Sequence, residues 1–222
     1  MDAALLLLVD GRFPAGGHTY SAGVEAAVAA GDVRDANTLE RYLGGRLATT
    51  GRVDAAFAAA SCANHGDAGM LDQLDGEYSA RVMSPYLRET SRRLGRQLMR
   101  AATQIWPRPE LDALAALPGG PHQAIALGAV VAAAGGTPDD AAALAFHHLG
   151  AAVTSAAVRL LGLDPIELAG GQARAGRHID EGRDEWGRWA TCPPAYLPAD
   201  GGTLTEVFGE RHGTLDARMF IA

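Results

Sequence analysis

The residues best suited to metal or nucleophilic chemistry in this 222-residue chain are its seven histidines and two cysteines. His147 and His148 are adjacent, which on a helix turns their side chains about 100° apart. A helical metal pair needs two histidines four residues apart on one face, as in H-E-x-x-H, and the chain has no such pair. The spacing predicts a buried, hydrogen-bonded His148 and a His147 at a rim. His18, His65, His122, His178 and His212 stand singly. Cys62 and Cys192 form no C-x-x-C and read as free thiols. There is no G-x-S-x-G elbow to expose a serine nucleophile. The carboxylate pairs Asp139-Asp140 and Asp184-Glu185 have structural explanations, one at a helix start and one between arginines. The expectation is therefore no catalytic residue, no metal site and no cofactor.

Charge narrows the classes further. All 19 basic residues are Arg, against 26 acidic ones, for a net charge of −7. Without Lys there is no Walker-type phosphate loop and no Schiff-base chemistry. An acidic chain is poorly suited to nucleic acid, whose binding rests on phosphate neutralisation. The apolar run Ala3–Val9 is too short to cross a bilayer. The chain is expected in the cytoplasm, with no nucleic acid and no membrane among its partners.

Two stretches stand out as candidate binding segments. Arg88, Arg92, Arg96 and Arg100 step by four and form one basic stripe, either a solvated face or a docking face for an acidic partner. Phe13-Pro14-Ala15-Gly16-Gly17-His18-Thr19-Tyr20-Ser21 makes a turn that Ser21 is expected to cap into the next helix. Local geometry alone does not call for the His and Tyr inside that turn.

The elements that must position these residues are helical. Ala contributes 45 residues, Val, Ile and Thr are sparse, and no alternating strand pattern occurs, so an all-α fold is expected. About ten helices in one compact domain are predicted, near 2–10, 21–30, 36–49, 52–64, 68–82, 84–106, 109–117, 121–134, 137–161 and from 164 onward. Ser84-Pro85 and Thr137-Pro138 are cap-and-proline starts. Asp164 with Glu167 resembles a capping box. The glycine-rich Gly170–Trp189 stretch reads as a weak amphipathic helix. Ala145, Ala152 and Ala156 leave a smooth stripe that suits close helix approach, within the chain or between two copies. Residues 1–190 form the predicted helical domain and 191–202 a Pro/Gly linker. Residues 203–222 are expected to be a loosely held partner-binding tail, with apolar faces at Leu204, Val207, Phe208 and at Leu215, Met219, Phe220.

The turn at Phe13, Pro14, Gly16, Gly17, His18, Thr19, Tyr20, Ser21, Gly23, Val24 and Glu25 resembles the N-terminal signature of the UreF family of urease accessory proteins. Arg88-Glu89-Thr90-Ser91 with Gly95-Arg96 is similar to that family's E-x-S-x-x-x-G-R pattern. Pro121-His122 with Gly128 resembles a further block. Arg211-His212 through Arg218-Met219-Phe220 resembles the closing H-E-x-x-x-x-R-L-F. The blocks follow in family order over nearly the whole chain. Two positions depart from the pattern: Gly162-Leu163-Asp164-Pro165 replaces a P-L-G-Q turn, and Gly213 replaces the acid after the tail His. The resemblance implies a non-catalytic, dimeric urease maturation chaperone that binds the UreD (UreH) scaffold and recruits the UreG GTPase, which delivers nickel to apo-urease. With it, partner-binding roles are expected for Pro14, Gly16, His18, Tyr20, Ser21, Glu25, His212, Arg218 and Phe220 and for the stripe residues Arg88, Arg92 and Arg96, and it tips the alanine stripe Ala145, Ala152 and Ala156 toward a dimer face. The alternatives are a small helical enzyme using His18, His147 or His148 with an Asp, and a dimeric helical interaction protein unrelated to urease.

Overall fold

A computed structural model describes residues 3–181, 183–216 and 218–221, apart from the side chains of His18, His178 and Glu181. The fold is all-α, with no strand among the described residues. In chain order the helices are α1 (Leu6–Val9), α2 (Val24–Ala29), α3 (Ala36–Arg46), α4 (Arg52–Ala63), α5 (Ala68–Arg81) and α6 (Pro85–Ile105). They continue with α7 (Pro109–Ala115), α8 (Gln123–Ala133), α9 (Pro138–Leu161), α10 (Pro165–Glu181), α11 (Trp186–Trp189) and α12 (Thr203–Gly213).

The alanines decide the packing. α4 is the central helix, flanked closely by α8 and α9. Ala55, Ala56, Ala58, Ala59 and Ala60 are buried around Phe57. A side chain on Gly128 of α8 would put its Cβ 2.1 Å from the Ala58 carbonyl oxygen and 2.8 Å from the Cys62 nitrogen. Only glycine lets the two backbones meet there. Ser61 closes the same contact by donating to the Ile125 carbonyl at 2.7 Å.

The helix starts follow their caps. Ser84 Oγ accepts from the Leu87 N–H, with Pro85 in the first turn. Thr137 and Asp140 form a reciprocal capping box at α9. Asp35 and Thr38 form another at α3. α3 does not end where a separate helix was expected to begin. It passes through a π turn, Leu47–Gly51, directly into α4. α10 runs unbroken across Gly170, Gly171 and Gly176. Tertiary contacts offset the weak propensity: α10 lies on α9 and α3, and Arg174 pairs with Glu40 at 2.7 Å.

The expected dimer stripe is used inside the chain. Ala145 and Ala156 are buried in its own core, because α9 packs against α2, α4, α8 and α10 at once. Ala152 is half-buried beside a cleft. By length and composition α9 is apolar enough to cross a membrane, and 56% of its apolar window is buried in this bundle.

The last quarter of the chain is fastened down, contrary to the expectation of a loose tail. Arg81 donates to the carbonyls of Pro194, Ala195, Leu197 and Pro198, which holds the predicted linker on α5. Arg52 bridges Glu185 and Asp200. α12 packs on α2 and α6, and Phe208 and Phe220 are buried. The apolar faces expected there split: Leu204, Val207 and Met219 stay exposed.

Candidate partner-binding face

The N-terminal signature forms one wall of this face. Phe13 stacks on Trp106 at the end of α6, with ring centroids 6.3 Å apart. Gly16 lies in the left-handed region at φ +77°, and a Cβ there would come within 1.8 Å of Gln97 Oε1. The left-handed backbone favours glycine there, whereas the Gln97 side-chain end could swing aside from a Cβ. Thr19 closes it by donating from N and Oγ1 to the Gly16 carbonyl.

Ser21 does not cap α2. Its hydroxyl is fully buried and has no hydrogen-bond partner among the described residues, and the helix begins at Val24 after a left-handed Ala22-Gly23 turn. That turn aims the Ala22 carbonyl at the buried guanidinium of Arg46 and at Tyr42, whose hydroxyl donates to it at 2.7 Å.

Glu25, in the first turn of α2, is where the two ends of the chain meet. Its carboxylate accepts from His212 Nε2 at 2.8 Å, from the Met219 N–H at 2.6 Å and from the Phe220 N–H at 3.1 Å. A carboxylate has no proton to give, so Nε2–H donates, and in the neutral ring Nδ1 accepts from the Tyr86 hydroxyl at 3.2 Å. Beyond Phe220, Ile221 pairs in parallel with Tyr20, through Ile221 N to the Thr19 carbonyl and Ser21 N to the Ile221 carbonyl. The Phe220 ring lies under the Arg159 guanidinium, 4.3 Å from its centroid.

Two more carboxylates tie α12 to the start of α6. Glu206 accepts from the N–H groups of Met83 and Ser84, and Glu210 from the Ser84 hydroxyl. These acids supply acceptors where the first N–H groups of a helix have none, at the positive end of its dipole. Glu206 and Glu210 were not singled out in the sequence. Their spacing of four on α12 was the available signal, but nothing in it indicated α6 as the target.

The arginine stripe is largely spent inside the fold. Arg88 donates to the carbonyls of Val82 and Met83. Arg92 pairs with Asp75 at 2.8 Å and also bonds the Gly120 carbonyl. Arg96 bonds the Gly119 carbonyl and Glu89. Arg92 and Arg96 hold the 117–122 turn on α6 and Arg88 holds residues 82–83, so the charges of Arg88 and Arg92 do not project as a free docking stripe. The arginines of α6 that stay exposed are Arg93, Arg96 and Arg100. Behind the turn, His122 is fully buried, with Nε2 2.7 Å from Ser79 Oγ and Nδ1 without a partner among the described residues. Desolvation, reinforced by the charges of Arg92 and Arg88, pushes its pKa down to about 3.

The other sequence candidates are dispersed. His148 Nε2 is 2.7 Å from the Leu8 carbonyl, and burial lowers its pKa. Among the described residues no three His, Cys, Asp or Glu stand close enough to hold a metal ion. Of the signature residues, Pro14 is exposed, Tyr20 half-buried, and Ser21 and Glu25 buried. Of the closing block, Arg218 is exposed while His212 and Phe220 are buried. The side chain of His18 lies outside the described residues.

Comparison with known proteins gives this arrangement its family. The UreF family model matches residues 33–175. The chain belongs to the UreF family. It is 42% identical over 167 residues to a urease accessory protein UreF of Mycolicibacterium vanbaalenii, covering 75% of this chain and 77% of the relative. It is 43% identical over 167 residues to a UreF of Mycobacterium marinum, at 75% and 76% coverage. With a UreF of Mycobacterium sp. strain JLS it shares 36% identity over 217 residues, 97% of this chain and 96% of that one. A role in urease maturation follows from membership. The UreF model stops short of both Glu25 and His212, so the junction of the two ends lies outside the matched stretch.

Proposed function

We propose that this chain is a non-catalytic adaptor of urease maturation. It bridges the UreD (UreH) scaffold and the UreG GTPase during nickel insertion into apo-urease, as a homodimer in the cytoplasm. The observation that carries this reading is the meeting of the signature turn and the closing block at Glu25. The polar groups of both blocks bond each other and so build a surface. Buried Glu25, His212 and Phe220 shape that surface. Exposed Pro14, Arg218, Met219, Leu204 and Val207 are the groups that meet the scaffold. Exposed Arg93, Arg96 and Arg100 give α6 a basic flank for an acidic partner.

Co-purification with the cognate scaffold, GTPase and urease subunits tests this. Arg218→Glu with Met219→Glu is expected to lower scaffold capture at least tenfold with an unchanged thermal midpoint. Arg93→Glu with Arg100→Glu is expected to weaken a salt-sensitive contact. Undiminished capture of every partner by both double variants would rule the assigned surface out. Failure of the parent chain to retain any of the three would rule out the adaptor reading.

A further inference from the structure

A cleft of about 220 Å³ opens between the 8–17 segment and α9 and reaches inward to α4, α5, α6 and α8. Its walls are mostly apolar, with Phe13, Leu94, Leu98, Leu127, Leu149 and Ala152 prominent. Its lining also includes Tyr20, Asp54 and Tyr78. The Tyr78 hydroxyl donates to Asp54 Oδ1 at 2.5 Å, and among the described residues Oδ2 has no hydrogen-bond partner. Burial pushes the Asp54 carboxyl up to about 6, against the opposing pull of the Tyr78 hydrogen bond and the Arg46 charge. Arg46 is itself buried; among the described residues it bonds the oxygens of Ala22, Tyr42 and Thr50, and it also interacts with the Tyr20 hydroxyl. The side chains of Asp54 and Tyr78 take no part in the Glu25 junction, which Tyr20 joins through its backbone bridge to Ile221.

We propose that this cleft binds a small neutral amphipathic molecule: a compact apolar body carrying one head that both donates and accepts a hydrogen bond, as a primary amide does. The volume exceeds the roughly 150 Å³ that suffices for benzene in an apolar cavity. An apolar pocket with a few convergent polar groups and a shifted carboxyl is the form small-molecule sites take. The head follows from the groups available to it. Asp54 Oδ2 asks for a donor, and the Tyr20 hydroxyl can give a proton to an acceptor. A cationic head would meet Asp54 but also the buried charge of Arg46. An anionic head would face Asp54. A neutral donor–acceptor head avoids both conflicts.

The test uses the full chain, labelled with ¹³C at Leu and Ala methyls and followed by NMR near neutral pH. The probes are benzamide, toluene, benzylammonium and benzoate. Benzamide is expected to shift the methyls of Leu98, Leu127 and Leu149 and to bind at least tenfold more tightly than the other three. Asp54→Asn is expected to weaken benzamide about tenfold and leave toluene unchanged. Ala152→Phe should fill the cleft and abolish both. Should that variant not fold, Ser155→Trp at the exposed lip serves the same purpose. The proposal is overturned by shifts confined to other methyls, by equal affinity for benzamide and toluene, or by tighter binding of either ion. Silence of all four probes at about 20 mM, ample for ligands of this size, overturns it as well.

Discussion

Where α8 crosses α4, glycine lets the backbones meet: Gly128 sits against the Ala58 carbonyl, and Ser61 bonds the Ile125 carbonyl beside it. Where the chain ends meet, the contact is made by acids: Glu25, Glu206 and Glu210 collect the N–H and hydroxyl donors of two helices and a terminal segment. The first region is short-range shape and tolerates no added volume. The second is a set of directional bonds that can be broken singly.

The largest effect should come from the bundle. Gly128→Ala is expected to cost about 3 kcal/mol or more, because the new methyl meets backbone that cannot rotate away. Urea unfolding should show a lower midpoint for the whole domain. Glu25→Ala should cost about 3 kcal/mol, since it leaves buried His212, the buried Phe220 N–H and the part-buried Met219 N–H without an acceptor. Hydrogen exchange separates the two cases. The Gly128 variant should open α4 and α8, whereas the Glu25 variant should open 204–221 and leave α4 and α8 protected. Equal loss of protection in both regions would mean that the junction is not a separable unit.

A smaller effect of opposite sign is expected at Asp54. Folding raises its pKa from 3.8 to about 6, so the folded chain binds more protons across that window and loses stability as pH rises through it. Asp54→Asn should therefore stabilise the chain by about 1–2 kcal/mol near pH 8. The gain should shrink below about pH 6, as read by thermal midpoint across pH. A gain independent of pH would show that the carboxylate is not the strained group. His122 runs the other way: its neutral form is favoured in the fold, so stability should fall as pH drops from 6.5 toward about 3. The smallest effect belongs to Arg52→Ala, which removes two ion pairs that are more than a third exposed. About 0.5 kcal/mol is expected, lost in high salt.

The fold was legible in the sequence because its signals are local. Ala content, the Ser84-Pro85 and Thr137-Pro138 starts and the stop at Pro107 each act within one or two turns of helix. The continuity of α3 into α4 and the survival of α10 across its glycines were not legible, since both depend on what packs against them. The site was half legible. The order of sequence blocks named the family and marked Glu25, His212 and Phe220. That these three touch one another could not be read, because 187 positions separate Glu25 from His212. The arginines of α6 misled for the same reason. A stripe at spacing four is equally a docking face and a row of donors for a turn, and only the position of Gly119 and Gly120 selects the second.

By itself, then, the sequence determined that this chain is helical, that it carries no Lys-dependent chemistry, and that it resembles UreF from end to end. Each of these rests on composition, on spacings within a few residues, or on the linear order of motifs. Tertiary structure alone decided which alanines face inward, which arginines are spent, and that one carboxylate joins the two ends. Those outcomes depend on a few atoms brought within about 3 Å from distant parts of the chain, a relation that hydrogen-bond geometry enforces and that linear spacing does not encode.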